Sequence, residues 1–352
     1  MPNETEANNK FRLIDLLKVE ASGVRTSVAA VLPLIVGQLA GFSVFGLYVG
    51  IGGLYLAVCD KEGSTIRTLL LCIFLNALAI YTGTVTGNYI VPSLILLPVF
   101  AFAGGMAAVY GEVAGQMGFV FTLAFSVALG QPGSSHTAGQ DFAAFLIGGA
   151  FGLVLTGVLW LADRKTSSAI DDTDAQKEIQ AEAQLSPFRV LIEQMTWQSI
   201  IFRHAMRLSI AATIAMAAFK FFQVEHGSWL IITALVIVKP VFADTRRRAL
   251  ERLAGSVLGG IVAVIIAALV QSVPVMDGLL MLFSILAFSH VRTNYGLYAF
   301  FLTPFVVLML DTVAPGDWQI ALVRIADTLI GGGIALTVSY ALRPRPALRD
   351  AA

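Results

Sequence analysis

Charged side chains are scarce in this chain, since Asp, Glu, Lys and Arg make up only 13% of its 352 residues. A soluble domain carries about 25%, so these residues are too few to cover a water-exposed surface. Long apolar runs without charge recur instead, at the length of about 20 residues that a membrane-spanning helix needs. Strands of an outer-membrane barrel would alternate apolar with polar residues, and these runs do not. The sequence therefore predicts an all-α, polytopic membrane helical bundle.

Other absences narrow the function. The two cysteines, Cys59 and Cys72, do not support a disulfide framework. Residues 1–10 lack the basic start, short apolar core and cleavage site of a signal peptide, so the first apolar segment is expected to be a retained span. His136 and Asp141 are expected in an outer loop, and no histidine has a metal-ligand spacing such as HExxH. Without a Walker A or GxSxG motif, we expect no enzyme, cofactor, metal or nucleic-acid partner, and no ATP-driven transport by this chain alone.

Apolar windows predict about twelve spans. Those of the first half are 24–42, 42–59, 67–84, 91–109, 112–129 and 142–162. Those of the second half are 205–222, 227–243, 253–271, 274–290, 295–311 and 318–342. Nearly all Lys and Arg then fall at one set of helix ends, whereas five of the opposite loops contain none and Lys220 lies close to the sixth. The positive-inside rule places both termini in the cytoplasm, and the lipid bilayer is the expected surroundings.

The two halves repeat. Arg25-Thr-Ser-Val-Ala-Ala resembles Arg207-Leu-Ser-Ile-Ala-Ala, and Gly148-Gly149 corresponds to Gly331-Gly332. Six spans per half give both halves the same orientation, which is a parallel repeat about an axis along the membrane normal. The predicted organisation is a cytoplasmic or interfacial segment 1–23, a first membrane repeat 24–162, a linker with an interfacial helix 163–202, a second membrane repeat 203–342 and a tail 343–352.

Two ionisable residues lie inside the last predicted span, where such groups suggest function. Arg324 and Asp327 are three residues apart, on neighbouring parts of one helix face. At about 1.5 Å per residue, Asp327 lies roughly 14 Å deep in a core about 30 Å thick. We predict that Arg324 attracts an anionic substrate and that Asp327 takes up and releases protons. The alternative is a mutually neutralising pair that only holds helices together.

Further candidates line the expected cytoplasmic mouth. Lys239 lies at a Pro-broken helix end, Arg247 repeats as Arg67, and Arg207 begins the first span of the second half. A basic cluster there would concentrate anions, although topology and lipid-headgroup contact would explain it too. Thr303 precedes Pro304 in mid-span, which predicts an interrupted helix of the kind that transport sites use, or a simple kink. Asn294 and Tyr295 could hydrogen-bond a carboxylate or phenol, or could be interfacial anchors.

The residues 228–240 and 245–255 together resemble the fusaric acid resistance family, also called the aromatic acid exporters. Further matching positions are Asn294-Tyr-Gly296, Thr303 and the stretch 324–331. The resemblance covers about 203–342 and, through the repeat, extends more weakly to 24–162. It implies efflux of aromatic carboxylates or related hydrophobic acids across the bacterial inner membrane, and kinship with plant malate-channel-type anion carriers.

This chain departs from the better-known exporters, which carry large cytoplasmic domains after their membrane segments. That departure leaves a periplasmic adaptor and the substrate open, and homo-oligomerisation is open as well. The first half also has Asp141 where the second has Arg324, and Ala144 where the second has Asp327. The leading hypothesis is a proton-coupled secondary transporter that exports organic anions. The alternatives are a passive organic-anion channel and a membrane scaffold subunit without transport activity.

Overall fold

The computed structural model describes residues 19–60, 64–163, 187–223, 227–270, 272–311 and 319–343. Within these ranges the regular elements are all helical, so the predicted all-α class is confirmed. The helices of the first half are α1 (Ala21–Leu39), α2 (Ser43–Cys59), α3 (Ile66–Thr86), α4 (Ile90–Met106), α5 (Glu112–Leu129) and α6 (Ser135–Asp163), with a 3-10 turn at Ala107–Tyr110. The second half follows a short helix α7 (Pro187–Gln194) and comprises α8 (Ile200–Phe221), α9 (Ser228–Ile237), α10 (Phe242–Leu269), α11 (Val273–His290), α12 (Tyr295–Asp311) and α13 (Gln319–Ala341).

The helices have the length and composition of membrane spans. In the described part of the chain, nine are long and apolar enough to cross a membrane, and α2, α9 and α12 are apolar but shorter. Large apolar side chains such as Leu70, Leu71 and Phe74 of α3 are exposed on the outside of the bundle. Such an apolar exterior requires lipid surroundings, because exposure of these side chains to water is unfavourable. The chain is a polytopic helical membrane protein.

The largest departures from the predicted span boundaries are at the start of α6 and at the connection between α9 and α10. Helix α6 begins at Ser135 and not at 142, because the Ser134 hydroxyl accepts a hydrogen bond from the Thr137 amide at 3.2 Å and caps the helix start. His136 and Asp141 therefore lie in a helix and not in a loop.

The second difference concerns α9, which ends at Ile237, and α10, which already begins at Phe242. Proline restricts the backbone of the residue before it to extended conformations, so the chain leaves the helix before Pro240. The basic stretch 246–252 is consequently the first part of α10 and not a connecting loop.

The predicted interfacial helix of the linker corresponds to α7. Phe188 and Ile192 of α7 are exposed, whereas Arg189 pairs with Glu193 one turn later at 3.0 Å. This mixture of apolar and charged faces suits the membrane–water boundary. Most of the predicted cytoplasmic or interfacial segment 1–23, most of the linker and most of the tail lie outside the described residues.

The six spans of each half pack in the same way. In the first half the main pairs are α1–α2, α2–α6, α3–α5, α3–α6 and α4–α5. In the second half they are α8–α9, α9–α13, α10–α12, α10–α13 and α11–α12. The halves meet where α4 packs on α8 and where α1 packs on α11, so the first helix of each half contacts the fourth helix of the other. This reciprocal contact is the arrangement expected of two parallel six-helix repeats.

Glycines allow the closest of these approaches. A Cβ atom on Gly255 would come within 2.7 Å of the Ala299 side chain, and one on Gly83 within 2.6 Å of the Ala128 side chain. Because α10–α12 and α3–α5 are equivalent pairs, each half uses a glycine at the same kind of helix contact. The pairs Gly255/Gly259 and Gly83/Gly87 each have the four-residue spacing that allows helices to approach closely, in agreement with this geometry.

Candidate functional site

A cavity of about 550 Å³ lies between the two halves. Its walls come from α1, α2 and α5 of the first half, and from α9, α10, α11 and α12 of the second, with Arg324 of α13. The second and fifth helices of each half therefore face each other across it. A cavity at a repeat interface is where transporters built from repeats place their substrates.

The charged residues that line this cavity are basic. They are Arg25, Lys239, Arg248, Arg252, Arg292 and Arg324. Among the described lining residues there is no Asp or Glu. Five of the six lie near the ends of their helices, at one end of the bundle, which we call the basic end. A low-dielectric cavity with walls of a single sign raises the local concentration of the opposite charge, so this one attracts anions.

The basic residues of the cavity differ in whether an acidic partner neutralises their charge. Arg25 is paired with Asp60 at 2.9 Å, so this position contributes little net charge. The guanidinium of Arg248 lies 3.8 Å from the centre of the Tyr295 ring, in a cation–π contact that leaves its charge in place. The positive field of the cavity therefore comes mainly from the second half of the chain.

Arg252 and Arg324 are the buried members of the set, with 3% and 2% of their surface exposed. The Nε groups of both residues, and Nη2 of Arg324, are buried without a hydrogen-bond partner. Arg324 also lies 4.2 Å from the centre of the Trp229 ring. Buried donors without acceptors are costly, and a carboxylate is the ligand whose geometry matches guanidinium donors. These two arginines therefore combine deep burial with donors that have no hydrogen-bond partner.

Lys239 lies between α9 and α10, where the helix is broken before Pro240. Its backbone amide donates to the Thr245 hydroxyl at 3.0 Å, which holds the break against the first turn of α10. Burial and then the nearby Arg248 charge lower the pKa of Lys239 to about 8, while the opposite charge of Asp244 acts to raise it. Lys239 is thus a cation whose charge can change at a mildly alkaline pH.

Asp327 lies one turn after Arg324 on α13, outside the cavity lining. It is 1% exposed, and neither carboxylate oxygen has a hydrogen-bond partner. No ion pair joins it to Arg324 in the part of the chain that the structure describes, so the neutralising pair considered from the sequence is not formed in this arrangement. A carboxylate buried in this way is stable in its protonated form, because an unpaired buried charge is very costly.

Two other predicted pathway residues make structural contacts. Arg207 donates to the Pro240 carbonyl at 2.7 Å and to the Leu342 carbonyl at 3.1 Å. It ties α8 to the break after α9 and to the end of α13, and it does not line the cavity. Arg247 is exposed and pairs with Glu251 at 2.8 Å, on the outer face of α10.

The side chains of Asn294 and Thr303 likewise form hydrogen bonds with the backbone of α12. The Asn294 side-chain oxygen accepts from the Leu297 amide at 3.2 Å, as a helix N-cap does. The Thr303 hydroxyl donates to the Ala299 carbonyl at 3.0 Å, one turn before, in the region where Pro304 interrupts the helix. Of the predicted pathway set, the structure brings Lys239, Tyr295 and Arg324 into the cavity wall.

Aromatic side chains form much of the remaining wall. They are Tyr48, Tyr55, Phe119, Trp229, Phe288, Tyr295, Tyr298 and Phe305. Rings and guanidiniums side by side suit a ligand with an apolar, preferably aromatic, body and an acidic group. Among the described residues, no three His, Cys, Asp or Glu side chains come together as a metal site would need.

Sequence reasoning did not select Arg252 or Arg248 as site residues. Their spacing carries a usable signal, since residues four apart share one helix face. Arg248 and Arg252 share one face of α10, and Arg247 and Glu251 share the next. The face with an acidic partner is the exposed one, so the face without a partner could have been assigned to the interior. Tyr48 gave no comparable signal, because its place in the cavity wall depends on how the two halves meet.

The family match among known proteins falls in the second half of the chain. The family model described as "Fusaric acid resistance protein-like" matches residues 213–338. An uncharacterized protein of Haemophilus influenzae is 33% identical over 152 residues, which are 43% of this chain and 21% of that protein. Inner membrane protein YccS of Escherichia coli is 31% identical over 151 residues, or 43% and 21% of the two chains.

A further relative is the uncharacterized transporter YdhK of Escherichia coli, 27% identical over 149 residues, which are 39% of this chain and 22% of that protein. The matched part thus spans about a fifth of these relatives' own length. A search of solved structures gives no significant match. The resemblance drawn from the sequence is confirmed: residues 213–338 of this membrane protein form a fusaric acid resistance protein-like segment.

Proposed function

We propose that this protein is a secondary transporter that exports organic anions, in particular aromatic carboxylates, across the bacterial inner membrane. The observation that carries the proposal is the cavity between the halves, with six basic and no acidic residues among its described lining. Its aromatic walls would hold the ring of the substrate, and Arg252 and Arg324 would hold the carboxylate. The name of the relative YdhK, which describes it as a transporter, supports the same direction.

The same cavity favours transport over a scaffold without transport activity. A scaffold has no use for a basic cavity, and unsatisfied buried guanidiniums reduce the stability of a bundle. Residues that cost stability without a structural return are expected at functional sites. We therefore rank a transport pathway above a scaffold.

We assign Asp327 to proton coupling. With both oxygens buried and unpartnered, the carboxylate would stay protonated while Arg324 is available for a substrate. The carboxylate could ionise when water or a cation reaches it during the transport cycle, and its proton would then be released. Uptake of a proton from one side and release at the other would couple anion export to the proton gradient.

Reconstitution tests the anion pathway. Proteoliposomes are loaded with labelled phthalate, an aromatic dicarboxylate that is ionised at pH 7 and crosses lipid slowly, and exchange with external unlabelled phthalate is followed. We expect exchange well above that of empty liposomes, and at least a tenfold loss of affinity in Arg324→Gln, because a charge-assisted hydrogen bond contributes roughly 1.5–3 kcal/mol. The matched control is Arg247→Gln, an exposed arginine outside the cavity. Equal exchange in Arg324→Gln and the unchanged protein would contradict the proposed binding site.

A separate variant, Asp327→Asn, tests the role of Asp327 in proton coupling. Asp327→Asn should keep exchange but lose accumulation driven by a pH gradient, because the amide cannot carry the proton. If accumulation persists in this variant, Asp327 is not the coupling group. A current that follows the anion gradient alone, with no dependence on pH in the unchanged protein, would instead identify a passive channel.

A further inference from the structure

A second buried carboxylate belongs to the first half of the chain. Asp141 of α6 is 7% exposed and faces Tyr48 of α2 and Thr84 of α3. Thr84 lies two residues before the end of α3, and its carbonyl accepts from the Gly133 amide at 3.0 Å, so the loop before α6 is fastened there. The three side chains thus lie near the end of the bundle opposite to the basic end.

None of the ion pairs among the described residues involves Asp141. Its Oδ2 accepts one hydrogen bond, from the Thr84 hydroxyl at a long 3.3 Å. Three helices pack on α6, and the ionisable groups that they carry near Asp141 are phenols: Tyr48 on α2 and Tyr81 on α3. The remaining neighbour, α1, carries Arg25 at the basic end, where it is paired with Asp60. On α6 itself, His136 is exposed, more than one turn before Asp141.

Tyr48 connects this carboxylate with the cavity. Its side chain is 4% exposed and forms part of the cavity wall, while its hydroxyl is buried without a hydrogen-bond partner. A buried hydroxyl that lacks a partner calls for an explanation. A hydrogen bond between the two side chains would satisfy both groups: an ionised Asp141 would accept from the Tyr48 hydroxyl, and a protonated Asp141 could donate to the Tyr48 oxygen while it still accepts from Thr84.

We propose that Asp141, with Tyr48 and Thr84, forms a proton-binding site in the first half of the chain, which the cavity reaches through the Tyr48 hydroxyl. A hydronium ion in the cavity gives a proton to the Tyr48 oxygen and becomes water, while the Tyr48 hydroxyl gives its own proton to the Asp141 carboxylate. The neutral acid then donates to the Tyr48 oxygen. The site is independent of Asp327, which belongs to the other half. Its use in transport rests on the proposed function, but proton binding itself does not.

Infrared difference spectroscopy tests the site without transport. The full-length protein in lipid nanodiscs is acidified stepwise, and the carboxylic C=O stretching bands that appear are compared between variants. We expect one band to be lost in Asp141→Asn and retained in Asp327→Asn, the matched variant of the other buried carboxylate. An Asp141→Asn spectrum identical to that of the unchanged protein would overturn the proposal.

Two further variants cover the case in which Asp141→Asn does not fold. Tyr48→Phe removes the acceptor that we assign to the protonated carboxyl, and Thr84→Val removes its donor, so each should shift the Asp141 band. If neither shifts it, the carboxyl is not linked to the cavity and the proposal fails. Because these spectra need no substrate, failure here would leave the anion pathway standing, and failure of phthalate exchange would leave the proton site standing.

Discussion

The two halves of the molecule use one packing scheme for different chemistry. Gly148 of α6 approaches the backbone of Val49 on α2, and Gly331 of α13 approaches the backbone of Leu230 on α9, so the equivalent helices meet at equivalent glycines. Seven residues before each glycine stand Asp141 and Arg324. The same location in the fold therefore holds a carboxylate in one half and a guanidinium in the other.

The second difference lies three residues further on. Ala144 is fully buried in the first half, whereas Asp327, unpartnered, occupies the equivalent place in the second. Helix packing constrains the small residues at the contacts, and it leaves the side chains between them free to diverge. A duplicated bundle can thus keep its fold while its second half supplies most of the basic and most of the aromatic residues of the cavity wall.

The largest effect is expected from exchanging the residue types at positions 144 and 327, which tests whether the two halves differ at this place. We expect Ala144→Asp to lower the free energy of unfolding by on the order of 3 kcal/mol, because it buries a carboxylate among apolar neighbours. Asp327→Ala should leave the stability unchanged or raise it, since it removes an unpartnered buried group. Thermal unfolding in detergent, followed by intrinsic fluorescence, measures both. Equal losses in the two variants would show that Asp327 is held by contacts of its own.

Anion affinity should depend on the second half. Arg252→Gln is expected to weaken phthalate binding by about 10- to 100-fold, because its buried Nε has no hydrogen-bond partner. The matched first-half change is the double variant Arg25→Gln with Asp60→Asn, which removes an already neutral pair and should alter affinity by less than about fivefold. Equilibrium binding of labelled phthalate to purified protein compares them. Similar losses in both would mean that the cavity does not distinguish the halves.

In contrast, replacing a packing glycine should lower the stability by a similar amount in both halves. Gly83→Ala and Gly255→Ala each place a Cβ against an alanine of the partner helix, at 2.6 and 2.7 Å. We expect each to lower the free energy of unfolding by about 1–3 kcal/mol, as overpacking does. Denaturation midpoints in detergent provide the measurement. A large loss in only one variant would show that the two helix pairs are not equivalent.

The smallest expected effect is a pH dependence that comes from Lys239. Its pKa of about 8 means that it is positively charged below this pH and loses that charge as the pH rises through it. Phthalate binding should therefore weaken by about two- to fivefold above pH 8. In Lys239→Arg the dependence should disappear, because arginine stays charged. An unchanged pH profile in this variant would assign the titration to another group.

Much of the fold could be predicted from sequence, because span length and hydrophobicity are properties of each segment by itself. The least accurate boundaries were those of α6 and α10, where a Ser134 cap and the break before Pro240 moved the helix starts. In both places polar residues belong to a membrane helix, which an apolar window excludes. The site was harder to predict than the fold, because Arg207 and Arg324 look alike in the sequence. In the structure Arg207 donates to backbone carbonyls, whereas Arg324 lines the cavity.

Scarcity of charge, long apolar runs and the repeat were enough to determine a helical membrane bundle of two parallel halves. Each of these features depends on local composition or on comparison of the chain with itself. Only the tertiary structure decided which basic residues face a common cavity, which are neutralised, and which carboxylates are left without partners. Those properties arise between helices distant in sequence, such as α2 and α6 around Asp141, and burial and charge compensation depend on all the neighbours at once.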